Sequence, residues 1–269
     1  LHSQFCSEVG RMISFDKYQG AGNDFVIIDD REKAFDEGDS ELIRAMCDRH
    51  FGIGADGLML LRNHDTLDFE MLYFNSDGRV SSMCGNGGRC IVQYANSLGI
   101  IGAETRFKAI DGEHKAELID ASLISLEMLD VDNLHSDGEA LVLNTGSPHF
   151  VTEVENLDEL DVVEAARAIR YNKTYMEAGI NVNFIEYIPE GLKIRTYERG
   201  VEDETLACGT GVAAAALVAA RKRNVKSPIK VQALGGELEV KFESTESGGF
   251  TGIWKTGPAK FVFSGTFAH

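Results

Sequence analysis

Along most of this chain apolar and polar residues alternate in short runs, and the runs end at Gly, Asp or Asn. Such runs, rich in β-branched and aromatic residues, predict strands. They fall at 25–29, 58–61, 69–74, 115–119 and 123–128, and again at 150–154, 182–187, 192–197, 229–233 and 238–242. Helical spacing interrupts the pattern twice in each half. Asp39 or Ser40 caps a segment that puts Leu42, Ile43, Met46 and Cys47 on one face, and 162–169 is its counterpart. The second helix of each half begins at a cysteine. In the later half it reads V-A-A-A-A-L-V-A-A over 212–220, apolar all round, which predicts a buried helix on which sheets pack closely. The expected unit is a curved, mostly antiparallel sheet wrapped around a central helix, an α+β fold.

A repeat organises these elements. Cys84 opens C-G-N-G and Cys208 opens C-G-T-G, a separation of 124 residues. The same offset carries Gly22-Asn23 onto Gly146-Ser147, Gly57 onto Asn181, and Asn75 onto Arg199. Two pseudo-symmetric domains follow, with an active site in the cleft between them: 12–130, completed by 258–269, and 131–257. Residues 1–11 show no period and are expected to be an extension or tag remnant, carrying Cys6.

Composition narrows the function. The 269 residues carry 43 acidic and 26 basic side chains, a net charge of −17, which opposes nucleic acid or an anionic membrane as partner. No apolar run approaches the roughly 18 residues of a membrane span. Five cysteines, an odd and sparse number, suit a reducing cytoplasm better than a disulfide scaffold.

The two cysteine motifs carry the candidate chemistry. At a helix start the first N–H groups are unpaired and point outward with the positive end of the dipole, so they bind carboxylates and favour thiolate. Glycine after the cysteine lets a ligand approach the backbone. Free cysteine is more commonly a small buried hydrophobe, and Cys47 and Cys90, on apolar helical faces, read that way. Two cysteines at equivalent helix starts read instead as a facing acid–base pair for inversion at carbon. Zinc fits poorly, because Cys84 and Cys90 form no C-x-x-C pair. Residues 52–57 match G-x-G-x-x-G, but they follow a helix and precede a strand, the reverse of a dinucleotide site.

With these residues identified, the chain resembles the diaminopimelate epimerase family, cofactor-independent members of the proline-racemase-like superfamily, from Met12 to Phe267. The motifs are Y-Q-G-A-G-N-D-F at 18–25, F-N-S-D-G at 74–78, M-C-G-N-G-G-R-C at 83–90 and G-S-P-H at 146–149. Further on stand N-V-N-F at 181–184, Y-E-R-G at 197–200, A-C-G-T-G at 207–211 and T-G-P-A at 256–259. The resemblance implies epimerisation of LL-diaminopimelate to the meso form for lysine and peptidoglycan precursors, without pyridoxal phosphate, metal or other cofactor. It makes Cys84 the proton donor and Cys208 the acceptor, with Glu198 and His149 supporting. It implies substrate binding by Asn23, Asn75, Gly85, Asn86, Asn181, Glu198, Arg199, Gly209 and Thr210, and a homodimer in the cytoplasm. Ser147 stands where many relatives carry Asn, and Gly57 where some carry Gln; both bear on the distal end of the substrate. Two alternatives remain open: a related racemase acting on another amino acid such as histidine, and a thiol redox or amino-acid-binding protein.

Overall fold

The alternating runs join into one continuous sheet in a computed structural model that describes residues 12–269. The expected extension at 1–11, with Cys6, lies outside the described residues. The earlier strands are β1 (Met12–Gly20), β2 (Asn23–Asp29), β3 (Gly57–Arg62), β4 (Phe69–Asn75), β5 (Val80–Ser81), β6 (Glu104–Ala109), β7 (Gly112–Leu118) and β8 (Leu123–Glu127). The later ones are β9 (Leu134–Asp137), β10 (Ala140–Asn144), β11 (Pro148–Glu153), β12 (Asn181–Ile188), β13 (Gly191–Glu198), β14 (Asp203–Thr205), β15 (Ile229–Ala233), β16 (Gly236–Ser244), β17 (Phe250–Pro258) and β18 (Lys260–Ala268). The helices are α1 (Ser40–Cys47), α2 (Gly85–Ser97), α3 (Val162–Arg170) and α4 (Gly209–Arg223).

The sheet is mixed. Most neighbours are antiparallel, but β2–β3, β4–β6, β11–β12 and β13–β15 run parallel. The offset of the sequence repeat recurs in hydrogen-bond register: Phe25 pairs with Gly57, and His149 with Asn181. The hairpin closed by Ala109 and Gly112 recurs as Ala233 and Gly236. The amphipathic helices sit two residues out of step, with Asp39 capping α1 and Asp161 capping α3.

Burial on both faces explains why some runs are continuous rather than alternating. On β2, Phe25 and Ile27 pack towards α2, while Val26 and Ile28 pack towards α1. On β3, Met59 and Leu61 go one way and Leu58 and Leu60 the other. Residues of α4 from Gly211 to Ala219 are buried, as its all-round apolar sequence requires, within a cluster that includes Leu141, Leu192, Val231 and Val240. β17 links the two ends of the chain's pattern, pairing with β16 on one side and β8 on the other. The last strand, β18, returns to pair with β1.

Candidate active site

Cys84 and Cys208 are the N-caps of α2 and α4, both in extended conformation (φ −89°, ψ 127° and φ −93°, ψ 112°). Their carbonyls accept the first helical bonds, from the N–H of Gly88 at 2.7 Å and of Val212 at 2.9 Å. Apart from the Gly211 N–H, which bears on the Cys208 sulfur, the first-turn N–H groups of Gly85, Asn86, Gly209 and Thr210 stay available to an anion. A Cβ on Gly85 or on Gly209 would strike the same atom, the amine of Lys255. The two cysteine turns therefore abut one nitrogen. Asn86 ties them further, donating to the Ala207 carbonyl at 3.2 Å.

Cys208 is buried and Cys84 half-buried. Burial pushes the Cys208 thiol up to about 12, and the charge of Glu198 adds to this against the Thr210 hydroxyl, the Gly211 N–H and Lys255. The helix-start expectation of a favoured thiolate is thus overridden at Cys208 by desolvation. Glu198 is itself raised by burial, with Thr205 donating to it at 3.1 Å.

A directed relay ends at this sulfur. Thr196 donates to Asn183 Oδ1 at 3.0 Å, and the Asn183 amide donates to His149 Nδ1 at 3.1 Å. His149 is buried, which drives it down to about 3, so the ring is neutral. With Nδ1 accepting, the proton sits on Nε2 and is given to Thr210 Oγ1 at 2.8 Å. That leaves the Thr210 proton directed at Cys208 Sγ, 3.5 Å away. Asn183 and Thr196 were not singled out by the sequence reading, although Asn183 lies within the 181–184 motif.

The other expected residues fall into two groups. Asn23 donates to Asp56 at 2.8 Å and accepts from Asn86 at 2.6 Å, placing it beside the α2 turn. Asn181 has both amide N–H groups engaged: it donates to Ser147 Oγ at 2.8 Å and the Pro148 carbonyl at 2.9 Å, and accepts from the Arg199 N–H at 2.9 Å. It gathers Ser147 and Arg199 instead of offering a free amide. Asn75 and Arg199 are exposed, and Asn75 pairs with Gly57 across β3–β4. Gly57 has no room for a side chain, since a Cβ would meet the Phe74 carbonyl and the Tyr73 ring. Tyr73, pushed up by burial and by nearby Cys84, fills that space.

The G-x-G-x-x-G run is a loop between α1 and β3, and its glycines are structural. A Cβ on Gly52 would run into the Ala45 carbonyl, and Gly54 has φ +79°. Asp24 pairs with Lys17 at 2.8 Å and with Arg49 at 2.7 Å, and Arg49 reaches Asp56 at 2.7 Å, anchoring the loop beneath Asn23. Among the described residues no group of three or more His, Cys, Asp or Glu is gathered as metal ligands, and no helix is long and apolar enough to cross a membrane.

Two cations buried at the cysteine turns were missed from sequence. Arg89 and Lys255 are both fully inaccessible. Arg89 bonds the Pro258 carbonyl at 3.2 Å, the Gly85 carbonyl at 3.3 Å and Asn86 Oδ1 at 2.9 Å. The available signal for Lys255 was strand alternation, which puts it on the inward side with Ile253 and Gly257.

This architecture is that of the proline-racemase-like and PhzF-type proteins. A Bacillus anthracis phenazine biosynthesis protein of the PhzF family superposes with a TM-score of 0.74 at 13% identity, over 96% of this chain and 100% of that one. A hydroxyproline epimerase from Agrobacterium vitis gives 0.65 at 15%, over 96% and 93%. At such identities the likeness is one of fold. The sequence itself goes further. The family model described as diaminopimelate epimerase matches residues 15–128 and 141–262. A diaminopimelate epimerase of Flavobacterium psychrophilum is 49% identical over 252 residues, covering 93% of this chain and 98% of that one. One from Aquifex aeolicus is 40% identical over 278 residues, covering 96% and 98%. The chain belongs to the diaminopimelate epimerase family, and it is an isomerase of diaminopimelate in lysine biosynthesis.

Proposed function

We propose that the chain epimerises LL-diaminopimelate to the meso form with Cys84 and Cys208 as its acid–base pair and with no pyridoxal phosphate. The observation carrying this is the pair of cysteine-capped helix starts that abut a single amine. One thiolate takes the α-proton from one face of the carbon and the other thiol returns a proton to the opposite face. The N–H groups of Gly85, Asn86, Gly209 and Thr210 hold the reacting carboxylate, where negative charge accumulates as the proton leaves. Cys208 is the acceptor in the LL-to-meso direction. The burial that makes its thiolate scarce also makes that thiolate a strong base, and the Thr210 hydroxyl, backed by neutral His149, steadies it. Half-buried Cys84 is the donor. Glu198 faces the substrate ammonium near Cys208, and Asn23, Asn75, Asn181, Ser147 and Arg199, with the Gly57 backbone, bound the distal end.

The active site then belongs to two pseudo-symmetric domains, 12–130 completed by 258–269, and 131–257, each a curved sheet around α2 or α4. The matched registers and the β18–β1 pairing support this division. Five sparse cysteines suit a reducing cytoplasm better than a disulfide scaffold. Exposed Phe261, Val262 and Phe263 on β18 favour a homodimer.

The test is deuterium incorporation at the α-carbon of LL-diaminopimelate in D₂O by purified protein without added cofactor. Incorporation accompanied by meso product is expected, and Cys84→Ala or Cys208→Ala should reduce turnover by about a thousandfold or more. A Cys208→Ala protein with full turnover would end the two-thiol reading. Faster turnover of L-histidine would move the substrate to the alternative racemase.

A further inference from the structure

Lys255 is a fully buried lysine whose amine has no hydrogen-bond partner among the described residues. It extends from β17 to a point between the first residues of α2 and α4, where a Cβ on either Gly85 or Gly209 would meet it. Asn86 Oδ1 lies 3.7 Å from the same Gly209 position. Across the sheet it is flanked by Leu126 of β8 and Val240 of β16, so neither neighbouring strand offers a counter-charge at those positions. The titratable groups that act on it are Arg89 of α2 and the two thiols, Cys84 and Cys208.

The full charge nearest the amine is a second cation, and no carboxylate acts on it. The first residues of α2 and α4 both adjoin the amine, and Arg89 is buried with it. An unpaired ammonium in such a place is strongly disfavoured, and burial with the Arg89 charge brings Lys255 down to about 7. The amine is therefore largely neutral above that pH until an anion arrives. A carboxylate between the helix starts would reverse the balance by supplying the missing counter-charge.

Resting on the two-thiol reading, we propose that Lys255 forms the floor of the carboxylate site: it takes up one proton from solvent as the substrate's α-carboxylate enters, and the ammonium shares that anion with the N–H groups of both helix starts. Each turn provides its own N–H groups, while Lys255 serves both. The same ammonium opposes the charge that spreads onto the carboxylate when the α-proton leaves, and it favours thiolate at either cysteine. Gly85 and Gly209 then have a second reason to lack side chains, because a methyl group on either would displace the amine.

Proton uptake separates this role from simple packing. LL-diaminopimelate is titrated calorimetrically into Cys84→Ala/Cys208→Ala protein at pH 8, in two buffers of different protonation enthalpy. About one more proton should be taken up on binding than in the same protein carrying Lys255→Met, and the Met change should weaken binding by about tenfold or more. In the protein with both cysteines, Lys255→Met and Lys255→Gln should keep the fold by circular dichroism and lower kcat/KM by at least about tenfold. Equal affinity and equal proton uptake with Lys and with Met would overturn the proposal. Absence of deuterium incorporation by the unmodified protein would instead remove the two-thiol reading. The two failures are therefore distinguishable.

Discussion

At the scale of single residues, burial decides which groups can carry charge. His149 is the clearest case, held at about 3 by desolvation, with Asn183 opposing and the Arg199 charge assisting the shift. Its unfolded value lies near 6.5. Between these two values the unfolded chain binds a proton that the folded chain does not, so stability falls as pH drops from about 6.5 towards 3. Replacing His149 by Asn should flatten that part of the acid limb, measured as urea midpoints at pH 4.5 and 7. It should also cost about 1–3 kcal/mol at neutral pH, because Asn183 and Thr210 lose a buried partner. If the relay aims the Thr210 proton at Cys208, kcat should fall by about tenfold while KM changes little. A loss in KM alone would count against it. His149 was legible only through the resemblance, as the last residue of the G-S-P-H motif. Asn183 and Thr196 were not, since nothing in their spacing shows that they face a histidine; only the parallel pairing of β11 with β12 and the antiparallel pairing of β12 with β13 bring them together.

Secondary-structure elements were legible where one period dominated. α1 and α3 show a single apolar face; Asp39 caps α1 as expected, accepting from Leu42 at 2.9 Å, and Asp161, which the sequence pattern had not marked, caps α3, accepting from Glu164 at 3.0 Å. Asp161→Ala should destabilise by about 1 kcal/mol in thermal melts. α4 was legible for the opposite reason, since an all-round apolar helix has nowhere to go but the core. Leu217 is fully buried there, and Leu217→Ala should cost about 2–5 kcal/mol, read from denaturant midpoints. Two of the strands left out of the sequence pattern, β1 and β17, share a cause. β17 carries Gly252 and Gly257, and an inward lysine where the period calls for an apolar residue. β1 likewise buries Lys17, which is paired with Asp24. The strand period was weakest where inward charged residues support the site. Local patterning is expected to give way at such functional positions.

At the scale of the whole molecule, pairing runs from β18 through β1 and the rest of the sheet to β9, so β18 is a terminal strand with one edge unpaired among the described residues. Such an edge invites another chain. Here it also carries apolar side chains on successive positions, Phe261, Val262 and Phe263, with exposures of 54%, 50% and 43%. The inner contacts of these rings are real but partial: Phe263 meets Phe15 edge-on at 5.9 Å and Phe261 meets Tyr18 at 5.6 Å. With a net charge of −17, two copies approach against their mutual repulsion, so an apolar strip is the part of the surface suited to hold them. The strip also bears on the site, because β18 pairs with β1 and β1 leads through Ala21 and Gly22 into Asn23. Changing Phe261 and Phe263 together to Glu should therefore convert the proposed dimer to a monomer in sedimentation velocity at micromolar concentration. It should also raise KM more than it lowers kcat, since Asn23 loses support while both thiols keep their helix starts. A monomeric mass for the unmodified chain would remove the dimer. An unchanged KM in a confirmed monomeric variant would leave the dimer standing but sever its connection to Asn23.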